Sequence, residues 1–300
     1  MQIENLALYL QCINTLLHYA TMNADNTIVK IEDLSFSYRR HSVFKNVSIS
    51  LEKNRIYGLL GENGVGKTTL MRIICGMLRP GSGSCKVNGM ESSGRNPEML
   101  KDIFYLPEIF VAPHIKVDSF ARNNALLYPS FDKGMFIRYC DTLEVERDRM
   151  FDKMSHGQQK KALIAFSLAL NTRLLLMDEP SNGLDIPSKT TLRKLISESI
   201  SEERCVIIST HQVRDLENII DPIIILDRAG IILNADIEHI TSALKFTLTE
   251  RHDPEALFSE ETISGYAEVL PNTDGVQSKV NLEALFNAAL KNKETIKKLF

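Results

Sequence analysis

The eight residues GENGVGKT, Gly61–Thr68, decide the fold. Ahead of them lies a compact apolar run, RIYGLL at Arg55–Leu60, which reads as a buried strand. Behind them, KTTLMRIICGML at Lys67–Leu78 has helical spacing and stops at the turn-forming RPGSGS, Arg79–Ser84. Strand, glycine loop and helix in that order match G-x-x-x-x-G-K-[ST] in its proper context. The glycines let backbone N–H groups converge on an anion that side chains would otherwise block. The helix aims the positive end of its dipole at the same place. The expected phosphate cradle is Gly61, Glu62, Asn63, Gly64, Val65, Gly66, Lys67, Thr68 and Thr69. The Lys67 ammonium would reach the outer phosphates and the Thr68 hydroxyl would take a position on Mg²⁺. A glycine turn arising by chance would lack both neighbours.

A phosphate loop binds nucleotide without cleaving it. Cleavage needs Mg²⁺ held on a carboxylate and a polarised water. LLLMDEP, Leu174–Pro180, ends an apolar strand in Asp178 and Glu179. Ligands of open α/β sheets sit beyond the carboxyl ends of the strands, so both carboxylates fall beside the loop. Asp178 is expected to hold Mg²⁺, and Glu179 to orient or deprotonate the attacking water. Alone, such a pair is as commonly a solvated turn; the phosphate loop decides for the chemical reading. CVIISTHQ, Cys205–Gln212, is a second apolar strand that delivers His211 to the same edge. Histidine suits contact with a γ-phosphate or proton transfer near neutral pH.

Two further stretches complete a pattern. MSHGQQKK, Met154–Lys161, precedes the apolar helical run ALIAFSLAL, Ala162–Leu170. A hydroxyl and free N–H groups at a helix start suit an anion. SNGLD, Ser181–Asp185, follows Glu179 closely. Over residues 28–230, in this order, the chain resembles the ATP-binding cassette (ABC) ATPases. The resemblance implies an α/β P-loop NTPase fold. This is an ABC nucleotide-binding domain with an N-terminal antiparallel β subdomain, a core parallel sheet flanked by helices, and an α-helical subdomain. It also implies ATP and Mg²⁺ as cofactors, with Tyr38 stacking on adenine. Ser155, Gly157 and Gln158 would be a signature that closes on the ATP of a second subunit, and Asp185 would couple the two sites. Glu179, His211 and Lys67 become the catalytic set, and Thr68, Asp178 and Glu108 the metal set. Two positions depart from the family pattern. Glu108, in FYLPE, stands where glutamine is usual and adds a negative charge beside the metal. His156 stands where glycine is usual and crowds the signature loop. Asn54, where glycine is common, is a smaller departure.

The rest of the chain sets the bounds. Residues 28–52 alternate as strands about a turn at Arg39–Ser42, and helices are expected near Ser188–Ser199 and Gln212–Ile219. Strands alternating with helices imply an α/β sheet. The expected organisation is a leader at 1–26, the ATP-binding domain at 27–235 with its helical part at 98–165, and a C-terminal appendage at 236–300. Within that appendage IEHITSALKF reads as helix, YAEVLP as strand and NLEALFNAALKNKETIKKLF as helix. The net charge of −3 gives no basic field, so no nucleic-acid partner is expected. Five widely spaced cysteines without a CxxC favour a reducing compartment. No run is apolar for the roughly 18–20 residues a membrane span needs. The longest, around Ile219–Ile232, is interrupted by Asp221, Pro222, Asp227 and Arg228.

The leading expectation is an ATP-hydrolysing subunit that powers a membrane exporter, cytoplasmic and peripheral on the inner face of the cell membrane. Its partners would be a separate multi-spanning permease subunit and a second ATP-binding subunit, identical or related. An importer subunit ranks second. The rival class is a soluble ABC ATPase acting on the ribosome or DNA, or a nucleotide-binding regulator with impaired hydrolysis. A single cassette, no inserted coiled coil and no basic stripe weigh against that class.

Overall fold

Two alternating segments open the described part of the chain. The computed structural model describes residues 26–228 and 230–300, so nearly all of the expected leader lies outside it. The elements, in chain order, are β1 Thr27–Tyr38, β2 His41–Glu52, β3 Arg55–Leu60, α1 Lys67–Ile74, β4 Ser82–Val87 and β5 Met90–Glu91, then α2 Pro97–Leu100, β6 Ile103–Leu106, α3 Val117–Ala125, α4 Lys133–Thr142 and α5 His156–Ala169. There follow β7 Leu174–Asp178, α6 Ile186–Ser199, β8 Cys205–Thr210, β9 Ile223–Asp227, β10 Gly230–Ala235 and α7 Ile237–Ala243. The chain closes with β11 Leu244–Thr249, β12 Phe258–Thr262, β13 Gly265–Pro271, α8 Leu282–Lys291 and α9 Lys293–Leu299.

The alternation of β1 and β2 builds an antiparallel sheet in the order β2-β1-β4-β5. The near-continuous apolar runs instead become central strands covered on both faces. Their sheet runs β10-β9-β3-β8-β7-β6, parallel except for the β10–β9 pair. Its register brings chemistry together: Leu60 pairs Thr210, and Asp178 pairs Ser209. The carboxyl ends of β3, β7 and β8 thus lie side by side. Helix α5 is buried along Lys160–Ala169, as expected of a helix apolar nearly all round. The third sheet, β11-β13-β12, packs with α8, while α9 lies on β10, and Val269 of that sheet joins the same apolar core as Leu285 and Ile225. No described helix is long and apolar enough to cross a membrane. Cys75, Cys85, Cys140 and Cys205 are free and buried.

Four local expectations shift. Helix α1 ends at Ile74, four residues before Leu78, because Gly76 turns left-handed (φ 74°) and Met77 and Leu78 both donate back to Arg72 O. Gln212–Ile219 holds only a single 3₁₀ turn at Val213–Asp215, gripped by α6 through Lys189 and by α8 through Arg214–Glu283. IEHITSALKF is helical only to Ala243, since Lys245 and Phe246 pair with β13. The C-terminal helix is two, broken at Asn292, whose side chain donates to Leu257 O. Strand β12 had no sequence signal beyond the alternation of a few residues.

Candidate functional site

Gly61–Gly66 connects β3 to α1 without a side-chain cap, and Gly66 sits at φ 113°. Helix α1 therefore presents its first backbone N–H groups free of intrahelical partners. Gly61 is required by space, because a Cβ there would lie 2.6 Å from Leu226 O. A Cβ on Gly66 would lie 2.8 Å from both Val43 and Phe44 side-chain atoms.

The loop forms one wall of a cavity of about 490 Å³. Its lining includes Tyr38, Asn63, Gly64, Gly66, Lys67, Thr68, Thr69, Glu108, Asp178, Glu179 and His211, along with His41 and Val43. Gly61, Glu62 and Val65 are not among the lining residues: Gly61 and Val65 are buried and Glu62 is exposed. Tyr38 is exposed at the rim, held edge-on by Phe36 at 4.9 Å and with its hydroxyl 3.4 Å from Thr69 Oγ1. Lys67 Nζ donates to Gly61 O at 2.7 Å and Glu62 O at 3.1 Å. Burial lowers its pKa, while the charges of Glu179, Asp178 and Glu108 oppose that shift.

The two carboxylates are buried and held differently. Asp178 Oδ2 accepts from Thr68 Oγ1 at 2.7 Å and from the Tyr105 hydroxyl at 3.0 Å, and Oδ1 accepts from Ser209 Oγ. Glu179 adopts φ 46°, with its N–H donating to Ser209 O and Oγ. Its Oε1 lies against the backbone nitrogen and Nδ1 of His211, and its Oε2 is buried without a partner. A buried carboxylate oxygen left empty at a cavity wall is a place for a water or ligand atom.

Glu108 lines the cavity, but its Oε1 accepts from Asn182 Nδ2 at 3.1 Å. Lys160 Nζ, in α5, donates to Glu108 O at 3.1 Å. Burial lowers the Lys160 pKa, against the pull of the three carboxylates. Ser155, Gly157, Gln158 and Asp185 are not brought to this cavity. Ser155 caps α5 by accepting from Gln158 N, and Asp185 caps α6 by accepting from Ser188 N. The two turns adjoin, since a Cβ on Gly157 would lie 3.1 Å from Gly183 O. His156 is exposed at the first turn of α5. Sequence reasoning missed Ser209, Tyr105, Asn182 and Lys160. Ser209 was findable, as a hydroxyl ending an apolar strand beside a paired acid; the other three carry no local signal.

A glycine loop capped by a helix, a buried lysine and two strand-end carboxylates define a phosphate-loop nucleotide-binding protein. The family model described as ABC transporter matches residues 44–182. A bacitracin transport ATP-binding protein of Bacillus licheniformis is 28% identical over 78% of this chain and 79% of its own. An energy-coupling factor transporter ATP-binding protein of Ligilactobacillus salivarius is 32% identical over 72% of this chain and 80% of its own. Among solved structures, an ATP-binding subunit of an ABC transporter superposes with a TM-score of 0.65 at 24% identity, covering 71% of this chain and 92% of that one. The chain belongs to the family of ABC transporter ATP-binding proteins.

Proposed function

We propose that this chain binds ATP with Mg²⁺ in the described cavity, hydrolyses it, and powers a membrane exporter through cycles of dimer closure and opening. The observation that carries the hydrolytic reading is Glu179: one oxygen engaged by His211, the other buried and free at the cavity wall. In this reading Glu179 takes the proton of the attacking water through Oε2, and His211 supports the γ-phosphate. Tyr38 stacks on adenine, and Lys67 leaves its two carbonyl partners for the outer phosphates. The oxygen donors Thr68 and Asp178 suit a hard cation, with Glu108 close by. When bound, Mg²⁺ neutralises charge developing on the phosphate oxygens. The exposed Ser155 and half-buried Gly157 lie outside this cavity, which supports their acting on the ATP of a second subunit, with Asp185 between the sites.

The transport reading rests on kinship. One relative is a bacitracin transport ATP-binding protein and another an energy-coupling factor transporter ATP-binding protein, and both support a transport role. The partners in this reading are a multi-spanning permease and a second cassette, with the chain peripheral on the inner membrane face. Affinity purification from detergent-solubilised membranes tests it. Near-stoichiometric co-elution of a multi-spanning protein supports the reading, and purification with ribosomes or nucleic acid instead overturns it.

A further inference from the structure

Asp178 is held by hydroxyls from three different elements, and one of them, Tyr105, lines a separate groove. Thr68 reaches Oδ2 from α1 at 2.7 Å, and Ser209 reaches Oδ1 from β8. Tyr105, in β6, donates to Oδ2 at 3.0 Å from behind. Its ring lines a separate apolar groove with Leu100, Phe104 and Tyr128, away from the nucleotide cavity. The Arg72 charge acts on the same hydroxyl, opposing the rise in its pKa that burial and Asp178 cause. Arg72 lies four residues after Thr68 on α1, one turn along the same face. Hydrogen bonds thus join Thr68, Asp178 and Tyr105, while the Arg72 charge acts on Tyr105 from the helix that carries Thr68.

We infer that Tyr105 is a positioning residue that fixes Asp178 relative to Thr68 for Mg²⁺, acting through the carboxylate and touching neither nucleotide nor metal. A lone carboxylate at a strand end rotates about its last torsion, and its metal affinity depends on being held in one orientation. Ser209 holds only Oδ1, and the Thr68 hydroxyl turns to the metal when it binds, which leaves Tyr105 as the hold on Oδ2. Tyr105 sits on a central-sheet strand paired in register with β7, Tyr105 opposite Leu176. Held from that strand, Asp178 keeps its orientation toward Thr68 while the cavity fills.

This inference rests on the nucleotide reading above, and its test separates the two. A fluorescent, non-hydrolysable ATP analogue is titrated onto the full chain in EDTA and across a MgCl₂ series. Tyr105→Phe keeps the ring and removes the hydroxyl. The expected result is unchanged affinity in EDTA and a half-saturating Mg²⁺ concentration raised about tenfold, the usual scale for losing a group that orients a metal ligand. Arg72→Met, which leaves Tyr105 in place, moves the Mg²⁺ curve the same way by less. An unshifted Mg²⁺ curve in Tyr105→Phe overturns the inference alone, as does an equal loss in EDTA and Mg²⁺, which a general packing defect produces. Wild-type protein that bound no analogue would overturn both readings.

Discussion

Glu179 Oε1 lies 2.7 Å from Nδ1 of His211 and 3.0 Å from its backbone nitrogen, on a residue whose own backbone is left-handed at φ 46°. A non-glycine residue in that region is strained by roughly 1–3 kcal/mol and persists only where its surroundings hold it. Here Ser209 holds it, accepting the Glu179 N–H on both O and Oγ. The strain turns Oε2 into the cavity wall. Glu179→Gln keeps the shape and removes the base, so hydrolysis should fall roughly 100- to 10,000-fold while ATP binding persists. His211→Ala should also slow hydrolysis. Phosphate release and analogue binding measured on the same samples decide the matter, and turnover near wild type in Glu179→Gln removes the catalytic assignment.

Far from the cavity, Glu268 is buried in the third sheet. Burial raises its pKa, but hydrogen bonds from the Asp253 N–H, His252, Ser259 and Thr249 outweigh it and bring the group down to about 2. The folded value lies below the ordinary 4.5. The ionised form is therefore favoured by folding, and its contribution is present above about pH 4.5 and lost as pH falls toward 2. Glu268→Gln should lower Tm at pH 7, and the gap from wild type should shrink across that acid window. A gap independent of pH would show that the network stabilises by shape alone.

The parts legible in the sequence were those with a local signal. GENGVGKT, LLLMDEP and CVIISTH each carry their chemistry within a few residues, and parallel register alone brings Asp178 against Ser209. What escaped was made by partners distant in the chain. Tyr105 meets Asp178 across 73 positions and Asn182 meets Glu108 across 74, and nothing near any of the four announces the contact. Helix ends failed for the same reason. Residues 212–219 have helical spacing, but Lys189 and Glu283 pull the segment from two sides and leave one 3₁₀ turn. The small third sheet was half read, because Phe258–Thr262 has only one buried residue and so little pattern.

Arg204 is 3% exposed, and its guanidinium bonds only backbone carbonyls: Leu168 O and Ser167 O at the end of α5, and Ser199 O at the end of α6. Burial lowers its pKa to about 10, which leaves it charged at neutral pH. The cation is stabilised by the negative ends of two helix dipoles. Arg204→Met removes the donors and leaves Ser167 O and Ser199 O short of partners, at a cost of roughly 2–4 kcal/mol. Urea unfolding should show a lower midpoint, and Arg204→Lys should recover only part of it, because one ammonium cannot span both helix ends. An unchanged midpoint would mean that water replaces the guanidinium.

The glutamate at position 108 separates two accounts of the added charge. If the carboxylate served the metal directly, Glu108→Gln would raise the Mg²⁺ requirement. Oε1 accepts from Asn182, and the Glu108 backbone oxygen accepts from Lys160, which supports a positioning role. Glutamine offers Asn182 an amide oxygen in place of the carboxylate oxygen, so Glu108→Gln should hold ATPase within about twofold and leave the Mg²⁺ requirement unmoved. Glu108→Ala and Asn182→Ala both break the contact, and each should slow turnover by about fivefold, the scale of one hydrogen bond. The double variant should be no worse than either single one, because both remove the same interaction. Steady-state ATPase across a Mg²⁺ series measures all four proteins. Additive losses in the double variant, or a Mg²⁺ shift in Glu108→Gln, would return the carboxylate to the metal.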